Sequence, residues 1–417
     1  MHPDTPALVD KEYLQPPPTR PERSQSAEFR IGPVQMRSPA PRVVFLRGVD
    51  FSNSIGASDW RIAFHMLEFG FSTTVLGRGP LPTVWPEGVE LVSVPARRLP
   101  VLGTLVLSYR YALETLRRSP DVIIVNPAVA LAGALCKAAN SRARLVLDIR
   151  TIPVEVQGCT GRLLRIYFNA VLRSSLFEAC SVISEGMLDA LDSQFDLKAR
   201  MPTAVWGSGF DEALLVSAPK DRSIRQRLGL DGKFVLIFHG SLSPTRGLAE
   251  VVHSLRLLRD RDEGDLHLLL IGHGDAESRL KNLAMELNVE DQIWWIPPVM
   301  HEAIPDWIAA ADLGLDPLPD HPWWRHQGPL KVYEYLAMGK PVLATDLPCH
   351  RNISEAVILV PDNRPSTLAE AILRIKHLPT QDKQRLSAVA RQDAQQHTWR
   401  AKAQELARFL HDLMGSA

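Results

Sequence analysis

From residue 41 onward, short apolar runs rich in β-branched residues recur along the chain: RVVFLR, FSTTVLG at 71–77, VELVSVPA, DVIIVN at 121–126 and ARLVLDIR at 143–150. Continuous apolar runs of this length, rather than strict alternation, predict strands buried on both faces. Helix-length stretches such as Ser58 to Phe69 and Leu105 to Arg117 lie between them, so the alternation predicts a parallel sheet with helices on each side. After the polar stretch Ser217 to Lys233 the alternation restarts with FVLIFHG, a helix from Thr245 to Arg259, LHLLLIGHG, a helix ending at Leu287, and QIWWIP. A helix at Ile304 to Ala311, the strand DLGLDP, a helix from Pro329 to Met338, the strand PVLAT and a short ILV continue it. The final residues, ending TWRAKAQELARFLHDLM, carry helical apolar spacing.

This pattern predicts two doubly wound α/β domains, 41–215 and 216–378, with C-terminal helices over 379–417 packing back toward the first domain. The loops at the C-terminal ends of the strands should then face a shared cleft. The first 40 residues differ: PPP stands at 16 to 18 and the charges are evenly mixed, a composition expected to stay a disordered tail.

Composition narrows the functional classes. Lys plus Arg is 47 and Asp plus Glu is 47, so no global field draws the chain onto nucleic acid. Cys136, Cys159, Cys180 and Cys349 form no Cys-x-x-Cys pair and are too dispersed for a disulfide framework, which predicts a reducing, cytoplasmic setting. The N-terminus has no basic start followed by an apolar core, and the uncharged run Val122 to Cys136 is 15 residues long and interrupted by Asn126-Pro127. A spanning helix needs about 18 or more.

The most informative stretch is HQGPLKVYEYLAMGKPVLAT, 326–345. Gly328 and Pro329 suit a helix start, Gly339 suits the left-handed position after its last turn, and Pro341 separates it from a strand Val342 to Thr345. Free N–H groups of Leu330 and Lys331, the helix dipole and the Lys331 charge together make an anion site suited to phosphate. Glu334 lies one turn along on the same face, where it could accept hydrogen bonds from a ribose diol. A solvated surface helix is the competing reading.

With FHGSLSPTRGL, LLIGHGDAESRLKNLA, IPPVMHEAIPDWIAAADLGLDPLP and PLKVYEYLAMGKPVLATDLP in this order, the second half resembles the nucleotide-binding domain of retaining glycosyltransferases of family 4, also called group 1, which have the GT-B fold. SVISEGMLDAL and WGSGFDEALL extend the resemblance more faintly into the first half. The resemblance implies sugar transfer with retention from a nucleotide-diphosphate donor to a saccharide or lipid-linked acceptor, in bacterial surface polysaccharide assembly. It also implies that no metal is needed.

In this family a basic residue after the first strand of the second domain neutralises the diphosphate; Arg246 takes that place, and Ser241 stands where a second Arg is common. The family's paired glutamates would fall at positions 326 and 334. Only Glu334 is present, and His326 replaces the other near the donor sugar. Trp323, Trp324 and Arg325 are either sugar contacts or packing anchors. Gly240, the turn Gly272, His273 and Gly274, and Ile296 after the next strand are carried over as donor contacts near the base and ribose.

In the first domain, Gly56 in SNSIGASDW is the expected close-approach residue for the acceptor. Asp148 and Arg150 end LVLDIR, where Asp148 could orient an acceptor hydroxyl and Arg150 hold an anion; a structural ion pair is equally open. His65 and His301 read as ordinary histidines. RLLRIYFNAVLR, 162–173, reads either as an internal helix with a basic solvated face or as a peripheral contact with the inner membrane surface. The competing functional readings are a nucleotide-sugar epimerase on the same fold and a silent sugar-nucleotide-binding subunit.

Overall fold

The computed structural model describes residues 40–415 apart from 52–53, 82–84, 86, 96–101, 140–141, 153–157 and 218–222. Residues 1–39 of the expected N-terminal tail and Ser52 and Asn53 of the acceptor loop lie outside the described residues. Contacts divide the chain into two units, which separate at Gly209 and Phe210.

The N-terminal unit holds a sheet of β1 (Arg42–Asp50), β2 (Ser72–Arg78), β3 (Val89–Ser93), β4 (Val122–Val125), β5 (Arg144–Ile149), β6 (Ala179–Val182) and β7 (Thr203–Val205). Its order is β3-β2-β1-β4-β5-β6-β7, and each described pairing is parallel. The run VIIV of β4 is wholly buried, as its lack of alternation requires. One face carries the helices Leu102–Leu116, Ala130–Ala139 and Gly158–Arg173, which share a core with β4 and β5 through Tyr111, Ala132, Phe168 and Leu172. On the other face the helix Ser54–Met66 meets the last helix, Trp399–Gly415, through Ile62, Met66, Trp399 and Leu406.

The crossing of the chain back to this unit begins at His397. Helix Thr380–Ala394 stays with the C-terminal unit, because Leu386, Ala390 and Ala394 are buried against Tyr335 and Leu336 there. Residues 326–328 also group with the N-terminal unit: Ser184 Oγ donates to the His326 carbonyl at 3.1 Å.

The C-terminal unit has a second parallel sheet of β8 (Phe234–His239), β9 (Leu266–Ile271), β10 (Ile293–Ile296), β11 (Leu313–Asp316), β12 (Val342–Thr345) and β13 (Val357–Val360), in the order β10-β9-β8-β11-β12-β13. Strand β12 has the bounds that its flanking Pro341 predicts. Helices cover both faces of this sheet, with one core around Leu236, Leu255 and Ile372 and another around Ile237, Leu269 and Leu336.

Candidate active site

In the C-terminal unit, three loops leave the C-terminal ends of β8, β9 and β11 and press together. Gly272 has φ 134° and Gly240 φ 124°, conformations open to glycine; a Cβ on Gly272 would lie 2.0 Å from the Gly240 carbonyl oxygen. A Cβ on Gly274 would lie 2.5 Å from the Leu242 carbonyl oxygen. Backbone bonds close the ledge: Gly240 N–H donates to Ile271 O at 2.9 Å and Leu242 N–H to His273 O at 3.0 Å. Ser241 and His273 are exposed along it.

Ile296 behaves differently from its expected place beside the base. Its side chain is buried in the core, and its carbonyl already accepts from Gly272 N–H at 2.9 Å, so it braces the glycine turn from behind.

The charged groups gather beside this ledge. Asp316, the last residue of β11, is buried, with Lys331 Nζ 3.1 Å from Oδ1 and His350 Nε2 3.0 Å from Oδ2. The Thr345 carbonyl holds the other ring nitrogen of His350 at 2.7 Å. Burial alone would raise the Asp316 carboxyl, but the Lys331 charge and the His350 hydrogen bond outweigh it and hold it well below the usual carboxylate range. His350 shows the reciprocal balance: burial disfavours its charge, yet Asp316 pushes it up to about 10. Burial lowers the pKa of Lys331 and of Arg246, and Asp316 opposes the shift in both.

Arg246 ends a one-turn Pro244–Arg246 helix and stacks its guanidinium 4.2 Å from the centroid of a Trp324 ring. Trp324 is anchored in turn, donating its indole N–H to Thr245 O at 2.9 Å. It is therefore a packing anchor that aims the arginine. Arg246 Nε is buried with no hydrogen-bond partner among the described residues. Arg325 stands apart in an exposed ion pair with Asp320 at 2.6 Å.

The helix Leu330–Ala337 supplies Lys331 and Glu334. Pro329 sits one position earlier than the sequence predicts, at the cap with ψ 71°, while Gly339 takes the expected left-handed φ of 68°. Glu334 is no solvated surface residue: it is 2% exposed. Its Oε2 lies 3.2 Å from His239 Nε2, close enough for a charge contact although not aligned as a hydrogen bond, and its Oε1 is 4.0 Å from His301 Nε2. The structure thus brings Arg246, Lys331, Leu330, Glu334 and the glycine ledge into one unit and adds Asp316, His350, His239 and His301. His239 was discoverable as the residue ending the strand before Gly240, and Asp316 as the residue ending DLGLDP. His350 has no sequence signal, because it reaches Asp316 across 34 residues.

Asp148 in the N-terminal unit does not present its carboxylate to an acceptor. It is fully buried, Arg47 ion-pairs with Oδ2, and Ser181 Oγ donates to Oδ1 at 2.6 Å, so the ion-pair alternative describes it. Arg150 lies with its guanidinium carbon 3.8 Å from the centroid of a Trp206 ring and donates to the Trp206 carbonyl at 2.5 Å. Gly56 falls in the first turn of helix Ser54–Met66 rather than in a loop.

Residues 220–393 match the family model described as glycosyl transferases group 1. A D-inositol 3-phosphate glycosyltransferase of Jonesia denitrificans is 30% identical over 177 residues, which are 40% of this chain and 40% of that protein. A mannosylfructose-phosphate synthase of Agrobacterium fabrum is 28% identical over 182 residues, 41% of this chain and 38% of that one. The match thus spans about two fifths of these curated relatives. Among solved structures, a sucrose-phosphate synthase from Thermosynechococcus elongatus superposes with TM-score 0.71 at 16% identity, covering 90% of this chain and 100% of that one. Anabaena HepE in complex with UDP and glucose superposes with TM-score 0.71 at 19% identity, covering 88% and 99%. These likenesses carry the two-sheet α/β architecture, and the family match itself is confined to residues 220–393.

Proposed function

We propose that this chain transfers a sugar, with retention of anomeric configuration, from a nucleoside-diphosphate donor to a hydroxyl of a saccharide or lipid-linked acceptor. One observation carries the reading: Arg246, Lys331 and His350 surround the buried Asp316, leaving a positive excess and an Arg246 side-chain Nε–H with no partner among the described residues, beside a glycine ledge. A buried site with this imbalance favours a second anion, and a diphosphate has the charge and the acceptor oxygens to meet it. The Leu330 end of its helix adds backbone N–H groups and the dipole.

In the reaction the bond from the anomeric carbon to the diphosphate breaks and negative charge grows on the leaving oxygen. Arg246 and Lys331 stabilise that charge, with Asp316 holding the lysine in place. The departing phosphate takes the proton of the acceptor hydroxyl on the same face, so no protein nucleophile is required. Glu334, held among His239 and His301, accepts the ribose hydroxyls. The cations already present make this chemistry independent of a metal ion, and the setting we assign is surface polysaccharide assembly in the cytoplasm.

The HepE structures with UDP and with UDP-glucose make uridine donors the first to test. A thermal-shift panel of nucleoside diphosphates and nucleotide sugars, run with and without EDTA, reads binding by mass action. A diphosphate-dependent rise for one base that survives EDTA supports the proposal. No rise across the panel overturns it.

A further inference from the structure

The N-terminal unit carries an apolar surface that its own core does not use. In helix Gly158–Arg173, Phe168, Val171 and Leu172 cover the sheet, yet the whole run Arg162 to Tyr167 is exposed, with Leu163 at 66% and Ile166 at 58%. Helix Leu102–Leu116, on the same face of the sheet, exposes Leu105, Tyr109 and Leu113, spaced four apart and so on one side of the helix. Leu131 and Leu135 of helix Ala130–Ala139 lie on the intervening helix, which packs along Leu102–Leu116. Tyr167 Oη donates to the Pro127 carbonyl at 2.9 Å and ties the third helix to the start of the second.

The charge on these helices has one sign. Helices Ala130–Ala139 and Gly158–Arg173 contain no Asp or Glu, and the exposed run of the latter places Arg162 and Arg165 among its leucine and isoleucine side chains. The single carboxylate of helix Leu102–Leu116, Glu114, is bound by Arg117 and Arg118. Exposed apolar side chains gathered on helices of one sheet face mark an interaction site. Arginines set between exposed aliphatic side chains match a surface that is apolar a few ångströms down and negatively charged at its rim. No helix among the described residues is long and apolar enough to cross a membrane, so the fitting geometry is contact in the interfacial plane.

We propose that the outer face of these three helices docks this chain onto an anionic lipid bilayer. Leu163, Ile166 and Tyr109 enter the boundary between headgroups and acyl chains, and Arg162 and Arg165 meet the lipid phosphates. The proposal does not rest on the donor reading, and its test contains no nucleotide.

The full-length protein is sedimented with vesicles of phosphatidylcholine alone and of phosphatidylcholine mixed with phosphatidylglycerol. Binding is expected to the mixed vesicles only and to weaken in high salt. The variant Leu163→Ser/Ile166→Ser and, separately, Arg162→Glu are each expected to lower the partition by about tenfold or more, with melting temperature unchanged because these residues are exposed. Absence of binding to anionic vesicles overturns the proposal, as does equal binding by both variants. Concentration-dependent dimerisation that Leu163→Ser/Ile166→Ser abolishes, without vesicle binding, assigns the face to a second copy of the chain instead.

Discussion

Asp148 and Asp316 occupy like positions in the two units: each lies at or next to the C-terminal end of a strand in a parallel sheet, fully buried and facing a cation. Asp148 faces one arginine, and its second oxygen is taken by the Ser181 hydroxyl on the neighbouring strand. That cluster is balanced. Asp316 faces Lys331 and His350 directly and Arg246 through its field, so the same carboxylate leaves positive charge over. Strand-end position alone therefore does not distinguish a closed structural pair from a cluster with charge left over. The balance of charge around the carboxylate does, because a closed pair has no electrostatic demand left for a ligand.

The largest effect that could break this comparison lies in the closed pair. Asp148→Asn should destabilise the protein by about 3–5 kcal/mol in urea unfolding, since it leaves Arg47 buried without its counter-charge. The double variant Arg47→Met/Asp148→Leu should recover most of that loss. If the single variant were as stable as the parent, the two clusters would not differ in the way described.

Arg246→Ala should leave unfolding nearly unchanged but lower turnover by about 10²–10³-fold, the usual cost of removing one charge stabiliser from the reacting centre. A parental rate would remove the arginine from the diphosphate site. Glu334→Ala should then weaken donor affinity by about 1.5–3 kcal/mol in a calorimetric titration with the nucleoside diphosphate, through loss of charged hydrogen bonds. Unchanged affinity would remove Glu334 from the ribose site.

The smallest effect per unit sharpens the open cluster through pH. His350 has its folded pKa raised to about 10 from 6.5, so its contribution to stability is full below the unfolded value and is lost as pH rises through the folded one. Between those limits stability should fall with pH by up to about 1.4 kcal/mol per unit. His350→Gln should flatten that slope, whatever its effect on absolute stability. Parallel slopes for the two proteins would show that His350 is not held protonated by Asp316.

Much of the architecture was legible along the chain. The strand Val342–Thr345 and the left-handed Gly339 follow from Pro341, glycine freedom and apolar run length. Strands β6 and β7 were not legible, because ACSV and TAV are too short and too mixed to stand out from a turn. The candidate site divides the same way: Lys331 and Glu334 carry local signals of helix start and spacing and Arg246 is placed by the family resemblance, whereas His350 and the burial of Asp148 carry none.

By itself, then, the sequence determined the alternation of strands and helices and the start of the Lys331 helix to within one residue of Pro329, since these depend on periodicity and on neighbours a few positions away. Only the tertiary structure decided that Asp148 is closed off by Arg47 across 101 residues and that Asp316 gathers His350 across 34. Charge balance in a buried site is a sum over groups that the fold brings together, and distant pairings of this kind leave no period in the chain.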